Sequence, residues 1–283
     1  MRKRRLWMLL SMAALLLTGC SNAGTEPTVE VENPIAEENA LSEPEPESTE
    51  VDAEANEAEE AESPEVVEPK YMTIDFTGVT ETHAEGAEVS PLKWEILSEE
   101  DNGIDSADEW YESENLSLPM IGTDWNSFSD ENYEYLWDGD DLYIYENGTG
   151  DCLYVLNYPT DKWYVNGNNA YLKDGIFYGA SVANGYAQPN TCFMFAYDLE
   201  NEKLLWRSAD QSYNSMNFVV DGDVLICGYG FTAEPDYLYQ INRNTGEIID
   251  RLLLKKMPDL IVEQDGKLYV HTYSYNYVIN IEN

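Results

Sequence analysis

Four times along the chain an Asp-Gly pair is followed at once by a short run of alternating apolar and aromatic residues, and this recurrence restricts the fold more than any other feature. Asp138-Gly139 precedes Leu142-Tyr143-Ile144-Tyr145, and Asp174-Gly175 precedes Ile176-Phe177-Tyr178. Asp221-Gly222 precedes Val224-Leu225-Ile226-Cys227, and Asp265-Gly266 precedes Leu268-Tyr269-Val270, giving spacings of 36, 47 and 44 residues. Asp and Gly both tolerate positive φ, so such a pair between two strand-patterned runs is hairpin chemistry. The runs before the turns are 133–137, 170–173, 217–220 and 260–263, and a third run follows at 152–158, 192–198, 237–242 and 277–281. In the first three units a second turn leads to a fourth run, at 162–165, 203–207 and 247–253. Four antiparallel strands in a repeat of about 40 residues is the pattern of a β-propeller blade. A single blade cannot bury both faces, so the units must stack.

The last unit stops without a fourth strand, which would leave an open edge. Residues 92–97, Leu-Lys-Trp-Glu-Ile-Leu, resemble the Trp-bearing fourth strand and lie ahead of the first unit, so they are expected to complete the last blade. Residues 71–79 are the competing candidate. The expected fold is all-β: a propeller of about four blades, or five if the aromatic stretch 101–130 holds a degenerate one, with an irregular or incomplete ring as the alternative.

Phe195-Ala196-Tyr197-Asp198 leading to Lys203-Leu204-Leu205-Trp206, and Tyr237-Leu238-Tyr239-Gln240-Ile241-Asn242 leading to Asn244-Thr245-Gly246-Glu247, resemble the repeat of pyrroloquinoline-quinone-like (quinoprotein-type) propellers. In that family a "leu-tyr-ala-leu-asp" strand is followed by a Thr-Gly-Lys/Glu turn and a Trp-bearing strand. Enzyme members have about eight blades and a site for a cation and a quinone, and neither the length nor a ligand set for these is present here. The resemblance therefore implies the fold without a cofactor, and it implies a role like that of the non-enzymatic members, which serve as interaction platforms.

The N-terminus supplies an address. Arg2, Lys3, Arg4 and Arg5 precede a 12-residue apolar run, 6–17, that ends in Leu17-Thr18-Gly19-Cys20. A basic start and a short apolar run read as a secretory signal over 1–19, and the run is well short of the roughly 20 residues a membrane span needs. Leu-Thr-Gly-Cys resembles a bacterial lipobox, which implies lipidation at Cys20 and anchoring on the outer face of a bacterial membrane. Residues 20–70 are then a spacer. From 24 to 69 there are 17 acidic residues and no Lys or Arg, a composition that cannot bury enough apolar surface to offset chain entropy and is expected to be disordered. The folded domain is expected over 71–283.

Charge excludes one class of partner. With 15 Lys and Arg against 55 Asp and Glu the net charge is −40, whereas phosphate-backbone binding needs clustered cations. Material for catalysis is scarce too. His83 and His271 are the only histidines, no His-Glu-x-x-His spacing exists, and neither is expected to be catalytic. Cys152, Cys192 and Cys227 are expected as buried thiols, and Asp138, Asp140 and Asp141 as hairpin residues in preference to calcium ligands. No catalytic set, metal or cofactor is expected. The aromatic excess remains: Tyr273, Tyr275 and Tyr277 alternate as packing residues would, whereas Trp110, Tyr111, Trp125 and Phe128 crowd an irregular segment and are the candidate ligand-binding residues. Two functions compete. One is a lipid-anchored, non-catalytic platform for a protein, peptide or glycan; the other is an extracellular carbohydrate-active hydrolase or lyase using a carboxylate pair, which requires two facing acids with one pushed upward in pKa.

Overall fold

The computed structural model of the chain describes residues 68–117, 126–160, 169–182, 189–231 and 234–282. The signal, Cys20 and nearly all of the acidic spacer lie outside the described residues, as do Trp125 and the run 162–165.

The chain opens with β1 (Lys70–Thr73), β2 (Lys93–Asp101), the short helix α1 (Ala107–Ser113) and β3 (Ser127–Ser129). The first repeat supplies β4 (Tyr133–Asp138), β5 (Asp141–Glu146) and β6 (Cys152–Asn157). The second supplies β7 (Ala170–Lys173), β8 (Ile176–Ser181), β9 (Phe193–Asp198) and β10 (Lys203–Arg207). The third supplies β11 (Val219–Asp221), β12 (Val224–Phe231), β13 (Glu234–Asn242) and β14 (Ile248–Leu254), and the fourth β15 (Pro258–Gln264), β16 (Lys267–Thr272) and β17 (Tyr275–Glu282). These pair into four sheets, β1-β6-β5-β4-β3, β10-β9-β8-β7, β11-β12-β13-β14 and β15-β16-β17-β2, which are the four blades of a β-propeller.

All four Asp-Gly pairs make hairpins, in two registers. At Asp174-Gly175 and Asp265-Gly266 the pair itself is the two-residue loop, flanked by Lys173 and Ile176 or Gln264 and Lys267, and both residues have positive φ, from 53° to 76°. At Asp138-Gly139 and Asp221-Gly222 the Asp is the last strand residue, pairing with Asp141 or Val224, and only the Gly has positive φ. The same dipeptide thus gives a turn with both central residues in the left-handed region or with only the first, and the strand register decides which.

Alternation along each strand builds the contacts between blades. On β8, Phe177 faces the first blade and Tyr178 and Ala180 the third. On β12, Leu225 and Cys227 face the second blade, while Val224 and Ile226 face the fourth. The period of two places every second residue in one of two cores, so each central blade is apolar on both sides. On the fourth blade Ile261, Leu268 and Val270 face the third, and Leu260 and Val262 pack on the other side under α1, against Trp110 and Leu116.

The expected closing strand is present. Residues 93–101 form β2, antiparallel to β17, with Ile96 opposite Ile279 and Trp94 opposite Ile281. The competing candidate also joins a sheet, but a different one: β1 lies parallel to β6 at the outer edge of the first blade, with Tyr71 opposite Val155. It holds the place beside β6 that the sequence assigns to 162–165. The stretch 101–130 carries α1 and β3 and adds no fifth blade among the described residues.

The chain between β1 and β2 ties the ring together. Thr82 exchanges two backbone hydrogen bonds of 2.9 Å with Arg207 on the second blade, and the Ala84 amide donates to the Thr245 carbonyl on the third. Asn242 Nδ2 donates to the Ala87 carbonyl, and the Gln240 amide clasps Leu92 from both sides, donating to its carbonyl at 2.8 Å and accepting from its N–H at 2.7 Å. Trp94 Nε1 then donates to Asp250 as the chain enters β2. One segment therefore touches all four blades, anchored by strand pairing at both ends.

Candidate functional site

The inner strands of the blades converge on an open depression of about 250 Å³. Its wall takes Tyr171 from the second blade, Val220 from the third and Ile261 and Glu263 from the fourth, with Asp130 from the first and Ser117 from the end of the α1 segment. Two of the strand residues that line it, Tyr171 and Val262, stand three places before the Asp of their own hairpin, and Phe218 occupies the same place just ahead of β11. The repeat thus brings like positions of three blades to one cavity. The wall is mostly apolar and includes the carboxylates of Asp130 and Glu263.

Polar side chains hold this wall rather than reach into it. Asp130 accepts from the amides of Asn132 and Tyr133, both at 2.8 Å, and from the Tyr135 hydroxyl at 2.6 Å. That hydroxyl also accepts from the Leu172 amide of the second blade, and burial together with Asp130 pushes its pKa far up, so it stays protonated as the donor. On the opposite side the Asn217 amide clasps Ile261, donating to its carbonyl at 2.6 Å and accepting from its N–H at 2.9 Å. Each clasp satisfies a buried peptide that would otherwise be orphaned where two blades meet.

Of the candidate ligand-binding residues, two are core. Trp110 is 3% exposed, packed with Leu116 against Leu260 and Val262. Phe128 is 1% exposed and stacks on Tyr135 at 4.9 Å between the first two blades. Tyr111 is half-buried beside Trp110, and Trp125 lies outside the described residues. Trp110 and Phe128 thus offer no face to a ligand, because aromatic rings next to an apolar sheet gain more by covering it than by meeting water. The three C-terminal tyrosines divide in the same way: Tyr277 is buried, Tyr275 half-buried and Tyr273 exposed in the turn before β17.

The titratable groups fall into three sorts. Cys192 and Cys227 are buried, as expected, whereas Cys152 is half-buried, and burial pushes the Cys227 thiol far above its ordinary range, which favours its neutral form. His83 is exposed beside Glu81 at 3.1 Å, and His271 is buried. Glu263, on the wall of the depression, is pushed up by burial and secondarily by the charge of Asp221 at the end of β11. Among the described residues no group of three or more His, Cys, Asp or Glu is placed to hold a metal ion.

Neither the models of known protein families nor the curated proteins give a match to this chain. Among solved structures it is similar to the crystal structure of BamB from Moraxella catarrhalis, with a TM-score of 0.33 and 14% identity, over 54% of this chain and 56% of that one. The chain thus spans little more than half the length of that structure.

Proposed function

We propose that this protein is a lipid-anchored, non-catalytic interaction platform of the quinoprotein-like propeller type, held at the outer face of a bacterial membrane through Cys20. The observation that carries the reading is the axial depression, where the inner strands of the second, third and fourth blades meet Asp130 of the first in a mostly apolar wall that carries two carboxylates. Apolar concavities with a few polar groups at the edge suit a protruding apolar side chain, and carboxylates at the mouth favour a cationic or hydroxyl-rich neighbour. A peptide segment of an envelope protein fits that description best. The acidic spacer gives the domain reach from the membrane while its charge keeps it off an anionic surface.

One observation favours the hydrolase reading: Glu263 is raised in pKa and Asp221 lies within its electrostatic reach. A single experiment separates the two. Benzophenone-bearing side chains are introduced in the full-length protein in its host at Tyr171 or Val220 in the depression and, as a control, at Leu253, which is 60% exposed on the outer edge of the third blade. On irradiation, Tyr171 and Val220 give a discrete adduct with an envelope component that persists in a Glu263→Gln background, and Leu253 gives none. Adducts from Leu253 alone would place the interaction elsewhere, and an axial adduct that depends on Glu263 would favour chemistry on a bound substrate.

A further inference from the structure

Strand residues that face the preceding blade are sealed by it. Phe177 on β8, Leu225 and Cys227 on β12, and Leu268 and Val270 on β16 are all fully buried in this way. On β5 of the first blade Leu142 and Ile144 face the second blade, so Tyr143 and Tyr145 hold the corresponding outward positions. Both are only half-buried, and neither joins the apolar clusters between blades. Register gathers them into one patch. Tyr71 of β1 and Tyr143 lie opposite Val155 of β6 from its two sides, and Leu136 of β4 lies opposite Tyr143. Tyr71 is 70% exposed, whereas Val155 between the rings is 2% exposed. The Tyr143 and Tyr145 rings are near-parallel, with centroids 6.4 Å apart. Exposed carboxylates stand on either side of this row, Asp138 at one end of β4 and Glu134, opposite Tyr145, toward the other. Residues 126–160 hold eight Asp and Glu and no Lys or Arg. Lys70 of β1 alternates to the other face and pairs with Glu202 of the second blade.

Elsewhere the molecule covers such rings with cations of its own. Lys255 Nζ stands 4.5 Å from the centre of the Tyr275 ring and pairs with Glu99, and Arg243 lies 5.8 Å from the Tyr178 ring and pairs with Asp223 at 2.7 Å. Arg251 lies 4.8 Å over Tyr237. A cation placed between a ring face and a carboxylate is attracted by both. On the first blade the rings and the carboxylates recur without the cation. We propose that this outer face docks an extended segment of a partner protein bearing Arg or Lys at alternate positions, with Tyr71, Tyr143 and Tyr145 under the cations and Glu134 and Asp138 paired to them. Alternate side chains of an extended chain lie about 6.6 Å apart, which matches the spacing of the Tyr143 and Tyr145 rings. Tyr presents an apolar ring with a polar tip, and so suits a face that is wet until a partner arrives. Partial burial, and then the nearby Asp141 and Asp138 carboxylates, push the Tyr143 phenol upward, the mark of a negative field that a cation relieves. The same field, with a net charge of −40, opposes a second copy of this chain or an anionic polymer. A neutral glycan could stack on the rings but would leave the carboxylates without an ion pair. The patch shares no residue with the axial depression and stands apart from that reading.

Fluorescence anisotropy of a labelled peptide of alternating Arg and Ser, titrated with the full chain, tests this at about 0.15 M salt, where a Debye length of about 8 Å suppresses diffuse attraction to an acidic protein. Removing rings without touching charge is the decisive change. Tyr71→Ala weakens binding about three-fold, and Tyr71→Ala with Tyr143→Ala about ten-fold. Tyr273→Ala removes a ring that is 62% exposed on the fourth blade and leaves the affinity unchanged. Glu134→Gln with Asp138→Asn weakens binding more than Glu109→Gln with Glu112→Gln, which takes the same charge from the exposed side of α1. Should the double tyrosine variant not fold, Tyr71→Ala decides alone, because so exposed a ring at a strand edge carries little of the fold. The proposal is overturned by an unaltered affinity in Tyr71→Ala, by equal effects of the two charge pairs, or by cellohexaose binding more tightly than the peptide. No residue of the depression is altered in these variants, so their failure and the failure of the crosslinking experiment are separate results.

Discussion

A chain of residues 102–283, lacking β1, the strap and β2, does not unfold cooperatively, whereas residues 68–283 do. The missing piece carries Met72, Ile74 and Leu92, all buried, and eight of the residue pairs that make β2 the outer strand of the fourth blade. Burying each such side chain contributes about 1.5–3 kcal/mol, so the three alone approach the whole stability of a typical domain, about 5–15 kcal/mol. Removal also orphans the buried Gln240 amide and leaves β17 and β6 as open apolar edges. Circular dichroism during thermal melting reads the loss, and a peptide of residues 68–101 added in excess restores a sharp transition. A truncated chain with an unaltered melting temperature would show that the ring holds without the segment.

Gly246→Ala is expected to destabilise the third blade strongly. Gly246 has φ of +80°, and a Cβ there would lie 2.6 Å from the Trp206 ring. That ring cannot yield: it is buried, and its Nε1 donates to the Arg243 carbonyl at 2.9 Å. The left-handed backbone costs about 1–2 kcal/mol for a residue with a Cβ, and overpacking about 1–3 kcal/mol more. Together they amount to about 3 kcal/mol, or a fall of about 10 °C in Tm for a domain of this size. Gly175→Ala is the matched comparison, since Gly175 has φ of +76° with nothing within 4 Å of the added carbon. It should cost only the backbone part, about a third to a half as much. Equal losses at the two positions would mean that the Trp206 contact carries no weight.

These two sites mark the border of what a sequence can disclose. The hairpins were legible because a turn is local: Asp and Gly at the right place satisfy its φ angles wherever the strands go. β2 was legible as well, because Trp94 and Ile96 share the alternation of the strands they join. β1 was legible as a strand but not in its partner. It is four residues long, and it pairs in parallel with β6 about 80 residues away, with no turn to announce the pairing. The aromatics of the irregular segment misled for another reason. Composition counts rings without saying which surface they cover, and α1 turns Trp110 onto the fourth blade while β3 turns Phe128 into the first. The depression was hidden by its construction, since each inner strand contributes only two or three residues; the signal that could have found it is the position three before each hairpin Asp, read across repeats. His271 was not expected to be catalytic, and its place opposite Leu260 emerges only from the pairing of β15 with β16.

The depression exists because the blades are held in a ring, and the ring is held by the segment from β1 to β2. Amide exchange of residues 68–283 near neutral pH tests that claim most directly. The amides of Ile74, Thr82, Ala84 and Leu92 each have a partner on a blade, and they should exchange only with global unfolding, at the same free energy as Phe177 and Leu225 in the central strands. Exchange of 74–92 at loop-like rates, while β8 and β12 stay fully protected, would contradict it and show that the blades close without their strap.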